Sequence, residues 1–276
     1  MPGTLYLVPT PIGNLNDISP RCRQTLADAD FIAAEDTRVS LRLLNHLELK
    51  KPLVSYHEHN KAESGEKIVA RLLGGENCAL VTDAGSPAIS DPGEDLVRLC
   101  AQQGVTVCAI PGPCALITAL SISALPTGRF TFEGFLSVNK KSRQEHLAGL
   151  QNETRTMIFY EAPHKLLATL HDLCAAFGSA RKITLCRELT KLHEQVVRLT
   201  LGEALTYYTQ NAPRGEFVLV VAGAEAVKAA GVTQEDALAL VRERIAAGAS
   251  TKDAVKEVAK NTGLPKNQLY EAVLKA

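Results

Sequence analysis

Two loops rich in glycine and proline have the residue types of a small-molecule site. The first, Asp83-Ala84-Gly85-Ser86-Pro87, follows the apolar run 79–82, and the second, Pro111-Gly112-Pro113, follows the apolar run 105–110. Small and ring-locked residues let backbone N–H and C=O groups approach a ligand closely. We interpret the loops as two walls of one site, although ordinary turn chemistry would produce the same pattern.

A polar cluster at Tyr56-His57-Glu58-His59-Asn60 is the second candidate for chemistry. His57 and His59 are two residues apart, so in an extended segment their side chains point the same way. A metal site would need further ligands at suitable spacing, and the sequence offers none. We therefore predict no metal, and we interpret the cluster as a polar loop over a substrate cleft.

A basic segment, Asn139-Lys140-Lys141-Ser142-Arg143, places three cations within four positions. We predict a loop here, between a strand at 130–135 and a helix at 142–150. Such a run is either solvated surface or a contact for phosphate groups, and both interpretations stay open.

The elements around the two loops predict a parallel α/β sheet. Short apolar runs of strand length occur at 4–8, 31–34, 52–55, 79–82 and 105–110, with helices between them. Asp91 as N-cap and Pro92 at the first helical position predict a helix start between the two loops. Loops that follow parallel strands leave the same carboxyl edge, where ligands of open α/β sheets bind.

The first strand and its loop imitate a dinucleotide-binding fold only poorly. The loop Pro9-Thr10-Pro11-Ile12-Gly13 holds one glycine where the G-x-G-x-x-G fingerprint needs three. Its two prolines also remove amides that could bind pyrophosphate. The pattern argues against a nicotinamide or flavin site.

The chain divides into three regions by pattern. Residues 1–125 alternate strands and helices, residues 126–226 are richer in strands and predict a mixed α/β domain, and residues 227–276 contain three short helices. The last two helices cross a glycine-containing turn and resemble a helix-turn-helix. The final helix has few cations for a DNA-groove reader, so we predict an accessory module.

Composition excludes several classes of protein. The 276 residues include 30 Lys+Arg and 30 Asp+Glu, so no global charge attracts nucleic acid, and any polyanion must meet a local patch. No apolar run approaches the roughly 20 residues of a membrane helix, and the start of the chain lacks the features of a signal peptide. Seven scattered cysteines without a C-x-x-C pair indicate neither a disulfide framework nor a zinc site, so we expect a cytoplasmic protein.

Six motifs in order carry a resemblance to a known family: LYLVPTPIGNLNDISPR, AAEDTR, LVTDAGSPAISDPG, IPGPCALITAL, FYEAP and RGEFVLVV. The chain resembles the tetrapyrrole methylases, which transfer a methyl group from S-adenosyl-L-methionine, over about residues 4–225. It is most similar to their branch that acts on ribosomal RNA. The resemblance implies two α/β domains with the donor in the cleft between them, a small helical tail and a homodimer. It also implies a substrate, the ribose 2′-hydroxyl of a cytidine in 16S rRNA of the small ribosomal subunit.

The resemblance also implies site residues. Those expected to bind the donor are Pro9, Asp83, Ala84, Gly85, Ser86, Ile89, Gly112, Cys114, Ala115, Glu161 and Leu189. Those expected to remove or orient a proton are Asp36, His57 and Glu161. Those expected to contact RNA phosphates are Arg38, Lys140, Lys141, Arg143 and Arg187.

One departure from the family pattern bears on the substrate. The tetrapyrrole enzymes usually have G-G-D-P where this chain has Ala84-Gly85-Ser86-Pro87. Their aspartate is absent, although Asp83 could replace it from the preceding position. The departure argues against a tetrapyrrole substrate.

Two other functions remain open from the sequence. A tetrapyrrole or other small-molecule methyltransferase would bind the same donor without salt-sensitive RNA affinity. A non-catalytic RNA-binding protein led by the helical tail would bind RNA and ignore the donor.

Overall fold

The computed structural model describes residues 1–225 and 233–275, and its first five strands form one parallel sheet in the order β3-β2-β4-β1-β5. The elements of this half are β1 (Thr4–Leu7), α1 (Pro20–Asp28), β2 (Phe31–Ala34), α2 (Thr37–His46), β3 (Leu53–Ser55), α3 (Lys61–Leu73), β4 (Cys78–Val81), α4 (Glu94–Gln102), β5 (Thr106–Ala109) and α5 (Ala115–Ile122). Both β4 and β5 pair with β1 in parallel. The two loops that follow them therefore leave the same sheet edge, as predicted.

Strand β2 shows how the sequence builds this sheet. All four of its residues are buried, and alternate side chains enter two different cores. Phe31 and Ala33 belong to the core that also contains α3 and α4, while Ile32 and Ala34 belong to the core with α1 and α2. Period-two alternation thus buries both faces, as a parallel sheet covered by helices requires.

A second, mixed sheet has the order β6-β7-β10-β8-β9. Its elements are β6 (Phe130–Phe135), α6 (Lys140–Gly149), β7 (Thr156–Glu161), α7 (Leu166–Phe177), β8 (Lys182–Arg187), β9 (Gln195–Thr200), α8 (Leu201–Gln210) and β10 (Phe217–Val221). Strands β6 and β7 are parallel, and the other neighbours are antiparallel. The predicted mixed α/β character of this region is confirmed.

Helix α5 joins the two sheets. It follows the second Gly/Pro loop of the first half, yet its side chains pack on the second sheet. Leu116, Ala119 and Leu120 share one buried core with Ile158 of β7 and Val220 of β10. This helix therefore holds the loop before it against the second sheet.

The compact unit Met1–Ala224 contains both sheets, and Glu225–Ala276 forms a second unit. Within the second unit lie α9 (Gln234–Ala246), α10 (Thr251–Thr262) and α11 (Lys266–Lys275), which confirms the three predicted helices. Val241, Val255 and Leu269 are buried in their common core. The predicted domain boundary at 226/227 lies outside the described residues. In the described part of the chain, no helix is both long and apolar enough to cross a membrane.

Two local predictions differ from the structure, and one helix was not predicted. Asp91 is not an N-cap, because α4 begins only at Glu94, after Gly93 with φ +148°. The basic segment is not a loop, because Asn139 accepts a hydrogen bond from the Ser142 N–H and starts α6 at Lys140. Helix α5 was not predicted, because its sequence ALITALSI is apolar all round and shows no helical period.

Candidate functional site

A cavity of about 490 Å³ lies at the carboxyl edge of the first sheet, with its opposite wall formed by the second sheet. This volume is in the range of small-molecule sites. The predicted donor-binding residues that line it are Asp83, Ala84, Gly85, Ser86, Ile89, Cys114, Ala115, Glu161 and Leu189.

Hydrogen bonds between three loops build the first wall of this cavity. Thr10 and Gly85 exchange two backbone hydrogen bonds of 2.9 and 3.0 Å, and Gly85 needs its glycine because its φ is +87°. The Ser86 hydroxyl donates to the Pro113 carbonyl at 3.1 Å. The loops after β1, β4 and β5 are therefore fixed relative to one another.

The segment that follows Gly85 contains two residues in a left-handed backbone conformation, which residues other than glycine rarely adopt. Ala88 and Ser90 have φ values of +66° and +63°. Each such residue costs of order 1–2 kcal/mol, and strain of this kind concentrates at functional sites. The strained turn aims Ser90 and Asp91 at the cavity instead of capping α4.

Five acidic residues line the cavity, and three of them follow strands of the first sheet: Glu35 follows β2, and Asp83 and Asp91 lie in the loop after β4. Desolvation raises the pKa of all three, and the charge of a neighbouring carboxylate adds to each shift. The pKa of Asp91 rises to about 6, with Glu35 as the next cause after burial. Among the described residues that line the cavity, none is a lysine, arginine or histidine. The described lining therefore contains acidic and no basic side chains.

Tyr160 connects the second sheet to the start of α5. Its hydroxyl accepts a hydrogen bond of 3.1 Å from the Leu116 N–H, and burial strongly raises its pKa. Phe132 and Phe135 pack edge-on against its ring, at centroid distances of 5.0 and 5.5 Å. Tyr160 and Phe135 both line the cavity, so this aromatic group forms part of its second wall.

Sequence reasoning missed Glu35, Asp91 and Tyr160. Glu35 directly follows β2, so its position at the carboxyl edge of the sheet is a usable signal that it shares with the adjacent Asp36. Asp91 was interpreted as a helix cap. Tyr160 lies in the motif FYEAP, but its contact with Leu116, 44 residues away, has no local signal in the sequence.

Pro9 and Gly112 do not line the cavity. A Cβ built on Gly112 would lie only 2.8 Å from the Pro9 Cβ, so these residues pack against each other. Gly112 is explained by this close packing of two loops. Direct contact of either residue with the donor stays a prediction.

The three predicted proton-handling residues have different surroundings. Asp36 caps α2, and its hydrogen bonds to Arg38 lower its pKa to about 2. The Glu161 carboxylate is buried and accepts from Thr169 Oγ1 at 2.5 Å and from the Ala162 N–H at 2.8 Å. His57 has a buried Nδ1 that finds no partner among the described residues. Of the three, only Glu161 lines the cavity.

The predicted phosphate-binding residues differ in exposure and in their partners. Lys140 and Lys141 are exposed in the first turn of α6, and Arg143 is mostly buried in an ion pair of 2.7 Å with Asp172. Arg38 binds Asp36 but is 86% exposed. The Arg187 guanidinium donates to the Arg214 carbonyl at 2.6 Å. Arg143 and Arg187 thus already have structural partners.

The described residues include no group of three or more His, Cys, Asp or Glu side chains arranged to hold a metal ion.

Two family models match the chain. That of the Tetrapyrrole (Corrin/Porphyrin) Methylases matches residues 4–205, and that of the RsmI C-terminal HTH domain matches residues 232–276. The chain is also similar over nearly its whole length to curated proteins named ribosomal RNA small subunit methyltransferase I. The protein from Synechocystis sp. is 48% identical, covering 99% of this chain and 98% of its own. The one from Pseudomonas aeruginosa is 45% identical, with 99% and 97% covered.

Solved structures share the fold at low identity. Diphthine synthase superposes with a TM-score of 0.61 at 13% identity, covering 80% of this chain and 90% of its own. Uroporphyrin-III C-methyltransferase from Thermus thermophilus, complexed with S-adenyl homocysteine, gives a TM-score of 0.55 at 17% identity, with 79% and 97% covered. The predicted two-part α/β fold with a small helical tail is confirmed.

Proposed function

The chain belongs to the tetrapyrrole methylase family and is a methyltransferase, and from that premise we propose that it methylates the ribose 2′-hydroxyl of a cytidine in 16S rRNA. S-adenosyl-L-methionine is its methyl donor. The observation that carries the proposal is the likeness, at 43–48% identity over nearly the whole chain, to proteins named for methylating small-subunit ribosomal RNA.

The residues of the cavity suit this donor, which carries a sulfonium and an ammonium group. Glu35, Asp83 and Asp91 supply negative charge that no lysine, arginine or histidine of the described lining neutralises. Opposite charge within a few ångströms favours the ionised carboxylate, so a bound cation offsets the desolvation that now raises the three pKa values. Ile12 and Leu189 add apolar surface suited to a purine ring.

When bound, the donor supplies an electrophilic methyl group. The protein contributes mainly position, because a displacement needs its nucleophile held in line at contact distance. Two sets of hydrogen bonds hold the cavity walls in place for that purpose. Thr10 and Gly85 join two loops of the first wall, and Tyr160 holds the start of α5.

The hydroxyl must also lose its proton. Asp91 lines the cavity, and its pKa of about 6 leaves its carboxylate ionised at neutral pH and therefore able to accept a proton. Glu161 lines the same cavity, but it is buried and both of its carboxylate oxygens already accept hydrogen bonds, from the Ala162 N–H and the Thr169 hydroxyl. We therefore assign proton uptake to an Asp91 oxygen and orientation of the wall to Glu161.

RNA contact begins at the first turn of α6. Lys140 and Lys141 are exposed there and follow Phe135, which lines the cavity, by five and six residues. Free helix N–H groups and two cations together favour phosphate. Ser86 supports RNA over a tetrapyrrole, because its hydroxyl is engaged with Pro113 where the tetrapyrrole enzymes carry an aspartate. By family analogy the working form is a cytoplasmic homodimer.

The test is incubation of the chain with labelled donor and small ribosomal subunits from cells that lack this modification. A parallel reaction offers a tetrapyrrole acceptor. We expect label in the RNA and none in the tetrapyrrole. Label in the tetrapyrrole alone would replace this proposal with the small-molecule alternative, and RNA binding without any transfer would favour the non-catalytic one.

A further inference from the structure

The outward face of α2 carries a basic stripe. Arg38, Arg42 and His46 are spaced four residues apart, and all three are exposed. Residues at this spacing lie on one helix face, about 6 Å apart along the axis. The phosphates of an extended RNA strand recur on the same length scale.

The side chains of this stripe have few partners within the protein. Arg42 and His46 have no hydrogen-bond or ion-pair partner among the described residues, and Arg38 is 86% exposed despite its contact with Asp36. By contrast, the nearby Lys191 is neutralised by two carboxylates, those of Glu188 and Glu216.

A second cavity, of about 620 Å³, lies at the far end of this stripe. Its walls are His46 and the two segments 13–16 and 190–192, which are joined by a 3.1 Å hydrogen bond from the Asn14 N–H to the Thr190 hydroxyl. Leu15 and Leu192 line it and are 44% and 93% exposed. It therefore combines an apolar surface with polar edges.

Chain continuity links this cavity to the methyl-donor cavity at three points. Ile12 lines the donor cavity and precedes segment 13–16, and Leu189 lines it and precedes segment 190–192. Glu35 lines it too, and α2 begins two residues later. The stripe and the second cavity thus start at the rim of the reaction site.

We propose that this face holds the RNA strand that flanks the target nucleotide. Phosphates lie along Arg38, Arg42 and His46, and a neighbouring base packs against Leu15 and Leu192. Apolar side chains and base faces pack without sequence preference, while cations position the backbone. The inference rests on the proposed function, and it names the surface that presents the substrate to the donor cavity.

The test compares a double variant, which carries both Arg42→Ala and His46→Ala, with the control variant Arg129→Ala. Arg129 is also an exposed arginine, but it precedes the first residue of β6, whereas Phe135 at the other end of β6 lines the donor cavity. Binding to naked unmodified 16S rRNA and to small subunits is measured across salt concentrations, with donor affinity by calorimetry. The double variant should bind both RNAs about tenfold more weakly and lose about one unit of salt slope. Donor affinity should be unchanged.

Three results would overturn the proposal that this surface binds RNA: an unaltered salt slope, an equal loss of RNA affinity in Arg129→Ala, or a loss of affinity confined to assembled subunits. The last result would mean that a ribosomal protein occupies this face. The proposed function fails separately. If the wild type transfers no methyl group to RNA, but the double variant still shows the reduced salt slope, the surface stands and the assigned reaction does not.

Discussion

The Tyr160 hydroxyl accepts a hydrogen bond from the backbone N–H of Leu116 across 3.1 Å. This contact joins β7 of the second sheet to the first turn of the helix that follows the second Gly/Pro loop. Cys114 and Ala115, just before Leu116, line the donor cavity. The Tyr160 hydroxyl therefore fixes the start of α5, which adjoins the cavity, to the second sheet.

Tyr160→Phe removes this hydrogen bond and keeps the ring. We expect the free energy of unfolding to fall by about 1 kcal/mol, and donor affinity to fall a few-fold because the start of α5 loosens. Denaturant unfolding and calorimetry measure the two effects. Tyr208→Phe is the matched control, because the buried Tyr208 hydroxyl has no partner among the described residues. Equal stability of the Tyr160 and Tyr208 variants would contradict a stabilising role for the hydrogen bond between Tyr160 and Leu116.

Gly85→Leu should abolish donor binding. Gly85 lines the cavity with φ +87°, so a leucine side chain there would occupy ligand space and strain the backbone. Gly104→Leu separates these two effects, because Gly104 has φ +70° and no atom lies within 4 Å of the position that a Cβ would take. It should carry the strain and keep its donor affinity by calorimetry. Undiminished binding by folded Gly85→Leu would remove this loop from the donor site.

Asp91→Asn should stabilise the protein while weakening its function. The pKa of Asp91 is about 6 when folded against a usual 3.8, so the native state binds the proton more tightly. Wild-type stability contributed by this group therefore falls as the pH rises from about 4 to 6. Because Asp91 is only partly buried, we expect the variant to gain about 1 kcal/mol at pH 8 and nothing below pH 4.

The same variant should bind the cationic donor more weakly, and wild-type affinity should rise between pH 5 and 7 as Asp91 ionises. Asp17→Asn, at an exposed position, is the control and should change neither quantity. If Asp91→Asn left the stability–pH profile parallel to that of the wild type, the carboxylate would not be the group that titrates there.

Lys140→Ala with Lys141→Ala should reduce the salt slope of RNA binding by about 1.5 units, if each lysine contacts one phosphate. Arg143→Ala should behave differently, because its guanidinium is paired with Asp172 and both side chains are mostly buried. We expect that change to cost about 2 kcal/mol of folding free energy. An unaltered salt slope in the lysine variant would show that the first turn of α6 is solvated surface that does not contact RNA phosphates.

The strands were predictable because short β-branched runs between turn residues have few other structures. The predicted strands at 31–34 and 130–135 match the structure to the residue. Because the predicted strands were parallel, the loops that follow them could be placed at one edge of the sheet. That placement predicted most of the loop residues that line the cavity. Local pattern alone supports this much.

The rest depended on contacts between distant residues. The orientation of Asp91 depends on positive φ angles at Ala88 and Ser90, which nothing in their residue types indicates. The need for Gly112 arises from Pro9, far earlier in the chain, and the pairing of Arg143 arises from Asp172 on another helix. Such partners become neighbours only when the sheets assemble.

The most direct test of the central claim is the position of the added methyl group. Unmodified small subunits are incubated with the chain and labelled S-adenosyl-L-methionine, and the RNA is digested to nucleosides for mass spectrometry. We predict a single 2′-O-methylcytidine, together with resistance to alkaline cleavage at one bond, because the methylated oxygen can no longer attack its phosphate. A methyl group on the nucleobase would contradict the account.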